Sequence, residues 1–204
     1  MTSPNWRTPK FGLRYALDNG AWAAFCTGVA WDSDAYMKWL DRHLSLDTVP
    51  DFAICPDIVG DGNESLDHSC FWRTKLPNSI KWYLAVQDGM SQDDARGVID
   101  KFDGIFVGGT TDWKIKTGQD WVGLAHSLDL PIHVGRVGSP ERMRWAESIG
   151  VDSIDSTTPA QNAKQNPMRY LIHTAEEVKG IHHQPELFAM EEIYVGNSDN
   201  QTAL

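Results

Sequence analysis

One pattern limits what this chain can fold into more than any other: short apolar runs alternate with amphipathic stretches from one end to the other. Apolar runs, several rich in β-branched or aromatic residues, predict strands at about residues 11–17, 51–55, 80–86, 104–107, 132–134 and 151–154. Helices are expected between and after them, at about 31–46, 64–76, 91–102, 112–128, 141–148 and 168–178. Asp32 or Ser33 can cap the first, with Tyr36, Trp39, Leu40 and Leu44 on its buried face. Gly118 weakens the first half of the 112–128 helix. Such alternation with short connections implies a parallel sheet covered by helices.

The stretch Ile132 to Thr158 shows the unit most clearly. An apolar strand reaches a turn at Gly135 and Gly138. Ser139 then caps a helix whose first position is Pro140, with Met143, Ala146 and Ile149 at helical spacing. Gly150 ends that helix, and the next strand delivers Asp155 to its C-terminal end. Chemistry in parallel barrels is kept at that end of the strands. A complete eight-fold barrel usually takes about 250 residues, and this chain has 204. The expected fold is therefore α/β: a parallel, TIM-like β/α barrel, trimmed or minimal, with an open doubly wound sheet as the other arrangement compatible with the pattern. The expected organisation is a single domain, with a loose arm over 1–10, a barrel core over 11–180 and a tail over 181–204.

Composition narrows the function classes. A net charge of −10 argues against a general nucleic-acid coat, though not against a local basic face. No run is long or apolar enough to span a membrane, and the first residues lack the hydrophobic region of a signal peptide, so a cytoplasmic protein is expected. Three scattered cysteines without a CxxC pair predict free thiols, and give a structural zinc site no support. No cofactor and no metal are expected.

Candidate site residues come from the strand ends. Asp18, Asp57, Gln87, Gly108 with Gly109, Arg136 and Asp155 each follow a predicted strand, and in a parallel barrel all lie on one rim. Taken singly, each can be a turn, cap or loop residue. Together they give three carboxylates, an amide and a glycine pair, more than turns require.

These residues also carry a resemblance. The chain resembles the tRNA-guanine transglycosylase superfamily, and most of all its small DNA-acting branch, the 7-deazaguanine DNA transglycosylases. LDNGAW is similar to the family's Asp-Ser-Gly-Gly-Phe turn, LAVQDG to its Val-Gln-Gly segment and FVGGT to its Gly-Gly turn. VGSPERMRWAESIGVDSIDSTTP is similar to its Gly-Thr-Pro-Glu helix followed by Asp-x-Phe-Asp. The ordered set runs from about Tyr15 to Pro159.

The resemblance implies a glycosyltransferase that exchanges guanine in DNA for a free 7-deazaguanine. Asp155 would be the nucleophile on the sugar C1′ and Asp18 the acid/base. Asp57 would accept from the purine N1–H and exocyclic amine, and Gln87 and the Gly109 N–H, in the Gly108–Gly109 turn, would face its carbonyl oxygen. The chemistry fits the residue types: a carboxylate meets adjacent donors, an amide or backbone N–H meets an acceptor, and glycine permits close approach.

Departures from the family bear on the substrate. No cysteine follows Asp155 to complete a Cys₃His zinc site; His173, His182 and His183 remain, with His68 and Cys70 earlier in the chain. TTPAQN stands where an arginine is expected. The resemblance is therefore to a core without the zinc-binding subdomain, for which DNA with a flipped base is a better expectation than tRNA. Lys114, Lys116, Arg136, Arg142, Arg144, Lys164 and Arg169 are candidates for a phosphate-facing rim. Other readings are a glycoside hydrolase using Asp18 and Asp155 as its carboxylate pair, and a non-catalytic nucleic-acid-binding relative.

Overall fold

The computed structural model describes residues 1–4 and 14–156. Five strands form one parallel sheet in the order of the chain: β1 (Ala53–Ile54), β2 (Trp82–Val86), β3 (Gly104–Val107), β4 (Ile132–Val134) and β5 (Ser153–Ile154). A doubly wound sheet reverses its strand order at a switch point. No reversal occurs here, and the sheet curls as half of a barrel. The expectation of a barrel is thus corrected to an open, partial TIM-like sheet: among the described residues β5 does not pair back to the β1 side. The predicted first strand contributes a single parallel bridge, Leu17 to Ala53, and Thr2 bridges to Leu17 in turn. Residues 5–13 of that region lie outside the described residues, as does the predicted helix at 168–178. Within the stretch expected to be a loose arm, Thr2 is buried and holds the sheet edge, its C=O accepting from the Asp18 N–H at 2.7 Å.

The helices are α1 (Ala21–Thr27), α2 (Ser33–Leu44), α3 (Gly62–Arg73), α4 (Gln92–Arg96), α5 (Thr111–Ser127) and α6 (Pro140–Ser148), with one 3-10 turn at Ile99–Lys101. Their starts follow from local chemistry. Asp32, Ser91, Thr110 and Ser139 each accept backbone N–H groups at the N-cap of α2, α4, α5 and α6, and Pro140 occupies the first turn of α6. Two predicted elements differ. Helix 91–102 breaks into α4 and the 3-10 turn at Gly97, and α1 had no sequence prediction because seven residues carry too little periodicity. Gly118 is where it is for packing: a Cβ there would come within 2.6 Å of the Trp145 ring on α6.

The two faces of the sheet differ. Leu17, Ala53, Trp82, Leu84, Val86, Ile105, Val107, Ile132 and Val134 point toward the helices and join the main apolar core with Tyr36, Leu40, Leu66, Trp121 and Leu124. The alternate positions line the inner face: Ala16, Phe52, Ile54, Tyr83, Ala85 and Phe106. There Phe52 and Tyr83 stack at 4.0 Å, and the His133 ring lies 5.6 Å from that of Phe106 at an interplanar angle of 14°. Period-two alternation along each strand separates these faces. It also sends the next inward residue after each strand to the C-terminal rim.

Candidate active site

The rim is built one strand end at a time. Leu17 ends the edge bridge, and Asp18 follows, with its Oδ1 accepting from the Gly20 N–H at 3.2 Å. Gly20, at φ +80°, lets the chain turn straight into α1. Asn19, between them, is buried and fully used. Its Nδ2 donates to the Cys55 carbonyl at 2.9 Å and to Asp57 Oδ1 at 2.7 Å, and its Oδ1 accepts from the Ala21 N–H at 2.8 Å.

Asp57 follows β1. Its second oxygen faces Gln87 Nε2 at 3.4 Å. Gln87 follows β2 directly and is buried. Its amide also donates to the Ile58 carbonyl and to Ser65 Oγ, both at 2.7 Å, and its Oε1 accepts from the Gly60 N–H at 2.7 Å. In this structure Gln87 therefore braces the 57–60 turn.

After β3 comes the Gly108–Gly109 turn. Gly109 has φ +70°, and a Cβ there would lie 2.5 Å from Asp88 Oδ2. Asp88 secures the turn by accepting from the Thr110 N–H at 2.6 Å and its hydroxyl at 2.7 Å. These hydrogen bonds, with the charge of Arg136, outweigh burial and hold the Asp88 carboxyl below its ordinary range.

Asp155 follows β5. Its Oδ1 accepts from the Arg136 backbone N–H, and its Oδ2 lies 3.9 Å from His133 Nε2. Arg136 is in the left-handed region at φ +60°, unusual for a residue other than glycine. Its guanidinium donates to the Gly109 carbonyl, with Cζ 4.0 Å over the Trp22 ring.

The electrostatics tie the three carboxylates into one site. Burial pushes the Asp18 carboxyl up, and the charge of Asp155 adds to that. Burial raises Asp57 to about 6, with the charge of Asp18 adding and the Asn19 hydrogen bond opposing. Burial also acts upward on Asp155, but the His133 ring and the Arg136 N–H outweigh it and hold the carboxyl below its ordinary value. Asp18 and Asp155, on opposite sides of the half-barrel's rim, are therefore displaced in opposite directions.

The predicted basic rim divides. Lys114 is not on it. This residue lies on the sheet-facing side of α5, buried, with Nζ donating to the Gly135 carbonyl. Burial first, and then the charge of Arg136, lower it to about 8. Lys116 and Arg144 are exposed and Arg142 is half-buried. Lys164, Arg169, His173, His182 and His183 lie outside the described residues. His68 packs against the rings of Trp31 and Trp72, and no group of three metal-ligating side chains occurs among the described residues. No described helix is long and apolar enough to cross a membrane.

Asn19, Ser65, Asp88 and His133 contact these candidate residues or their turns and were missed by sequence reading. The Asn-Gly turn and the inward register of β4 are the signals that could have found Asn19 and His133.

No family model matches the chain. It is a distant, partial homologue of a queuine tRNA-ribosyltransferase from Dechloromonas aromatica (strain RCB), 35% identical over 100 residues. That match takes in 44% of this chain and 27% of the relative, so the chain spans about a quarter of the relative's length.

Proposed function

We propose that the protein is a nucleic-acid base transglycosylase, exchanging guanine in DNA for a 7-deazaguanine through a covalent Asp155–glycosyl intermediate. The observation that carries this reading is the opposed titration of Asp18 and Asp155 at one rim. One environment pushes a carboxyl up and the other holds one down, and such a split assigns acid and nucleophile.

An Asp155 oxygen forms a bond to C1′ as the C1′–N9 bond breaks, its electron pair leaving with the base. Asp18 supplies the proton that neutralises the departing guanine, then removes one from the incoming base as that base displaces the carboxylate. Asp57, with both oxygens already positioned by Asn19 and Gln87, accepts from the base N1–H and amine edge. Its hydrogen-bond donors are neutral amides, so no cation among them competes with the ligand for its charge. Among the described residues of the predicted rim, Arg136, Arg142, Arg144 and Lys116 are the cations offered for phosphate contacts.

DNA is taken as the substrate on the resemblance of the motifs from about Tyr15 to Pro159 to the small DNA-acting branch of the superfamily. The relative's name favours the second reading, a tRNA substrate. Incubating the protein with guanine-containing DNA or tRNA and a panel of 7-deazaguanines, then digesting to nucleosides for mass analysis, tests both. Incorporation into tRNA alone transfers the assignment to tRNA. Incorporation into neither polymer, with no trapped adduct, refutes the transglycosylase reading.

A further inference from the structure

His133 occupies the inward position of β4, directly below Asp155. Its side chain is 4% exposed and its ring packs against Phe106 and Phe52. One ring nitrogen is accounted for, since Nδ1 lies 2.8 Å from Ser153 Oγ. The other, Nε2, is buried without a hydrogen-bond partner and lies 3.9 Å from Asp155 Oδ2. A phenyl ring would pack here without leaving a buried polar atom unpaired, so packing alone does not account for an imidazole. The Ser153 hydroxyl can donate to Nδ1, which leaves the proton on Nε2. A bare Nε2 lone pair facing the carboxylate would be repelled.

We infer that His133 is a positioning residue for Asp155: Ser153 fixes the ring so that an Nε2–H is set on Oδ2, keeping the carboxylate ionised and in one orientation. The inference rests on the transglycosylase reading for its kinetic consequence, but not for its geometry. Oδ1 already has the rigid Arg136 N–H. Oδ2 has a donor at arm's length, which stabilises charge without occupying a lone pair at bonding distance. The same donor assists the second half of the exchange. There the C1′–O bond to Asp155 breaks and its electron pair returns to the carboxylate, while the incoming base forms the new C1′–N bond. The other charged groups acting on Asp155 are Asp18, Lys114 and the amino group of Met1.

The test compares His133→Phe, His133→Gln and Ser153→Ala with the unmodified full chain. The Asp155 carboxyl is followed by carbon-13 NMR across pH, with Asp155→Asn to assign the signal. His133→Phe should move its titration up, Ser153→Ala should move it up by less, and His133→Gln, which offers an N–H at the same place, should restore most of it. In the exchange assay His133→Phe should lower kcat roughly 10- to 100-fold, leave KM for the base near wild type and shift the acid limb of the pH profile upward. An unmoved Asp155 titration in His133→Phe overturns the inference. Should that variant fail to fold, a Ser153→Ala titration identical to wild type overturns it equally. A protein that exchanges no base yet shows the predicted NMR shifts would refute the transglycosylase reading and leave the positioning role standing.

Discussion

The site has two halves that bury a carboxylate by different means. Around Asp57 the donors are side-chain amides, Asn19 and Gln87, each wired into backbone groups of neighbouring strands and turns. Around Asp155 they are a backbone N–H held in a left-handed turn and a ring nitrogen that stops short of contact. Burial pushes both carboxyls up, but only Asp57 ends high, at about 6. Neutral amides oppose burial only partly, and Asp18 adds repulsion. The His133 ring and the short backbone contact reverse it at Asp155. A saturated network suits a group that must hold one shape for a ligand, whereas an under-filled one suits a group whose charge must move.

The largest effect expected from breaking this comparison is at Asp155. Asp155→Ala should reduce exchange by about 10⁴-fold or more and abolish the trapped adduct, as loss of a nucleophile does. Base binding, read by calorimetry, should survive. Residual exchange near wild type would remove Asp155 from the nucleophile role.

Asp57→Asn comes next. Each charge-assisted bond to the base contributes about 1.5–3 kcal/mol, so affinity should fall about 10²-fold. In the wild type, affinity should rise with pH through about 6 as Asp57 ionises. Stability should run the other way. The folded state holds this proton more tightly than the unfolded chain does, so the contribution is full below about 3.8 and is lost as pH rises through about 6. Thermal denaturation and calorimetric titration across that window should show both slopes, and both should flatten in the variant.

Asn19 offers a smaller and sharper change. Asn19→Ala strips Asp57 of its amide donor and should cost about 1–3 kcal/mol of stability. Asn19→Asp sets a further carboxyl against Asp57, and should move the midpoint of base binding above about 6. An unchanged midpoint would separate the two residues in solution.

The smallest effect is Gly109→Ala. The left-handed conformation alone costs about 1–2 kcal/mol. Gly28, at φ +65° with open space around it, supplies the control. Denaturation midpoints of Gly109→Ala and Gly28→Ala should differ by the clash with Asp88, and only the former should weaken base binding.

Much of this was legible in the sequence because it is local. The Ser139–Pro140 start of α6 and the strand-end positions of Asp18, Asp57 and Asp155 depend on neighbours a few residues away. What escaped depends on distant ones. Asn19 reaches Asp57, Asp88 reaches Thr110 and His133 reaches both Ser153 and Asp155, and no spacing rule encodes such pairs. Lys114 was expected on the surface by its charge. Its place on the inner side of α5 comes from helix phase, and its ammonium is tolerated there because the Gly135 carbonyl receives it.

The glycines of the inner face set how far this sequence can drift. At Gly104 a Cβ would come within 2.6 Å of the Tyr83 ring, and at Gly135 within 2.5 Å of the Phe106 ring. Each ring lies over a neighbouring strand's backbone, so its partner position has no room for even a methyl group. The helix-facing positions of these strands, Trp82 apart, carry aliphatic side chains that can exchange volume with one another. The inner face is a mosaic of flat rings laid on bare backbone, and there one added carbon dislodges a tile. In a saturation-mutagenesis library, tolerated changes should therefore crowd the helix-facing positions of β2, β3 and β4 and thin out at Gly104 and Gly135, although neither glycine has a side chain to offer any ligand.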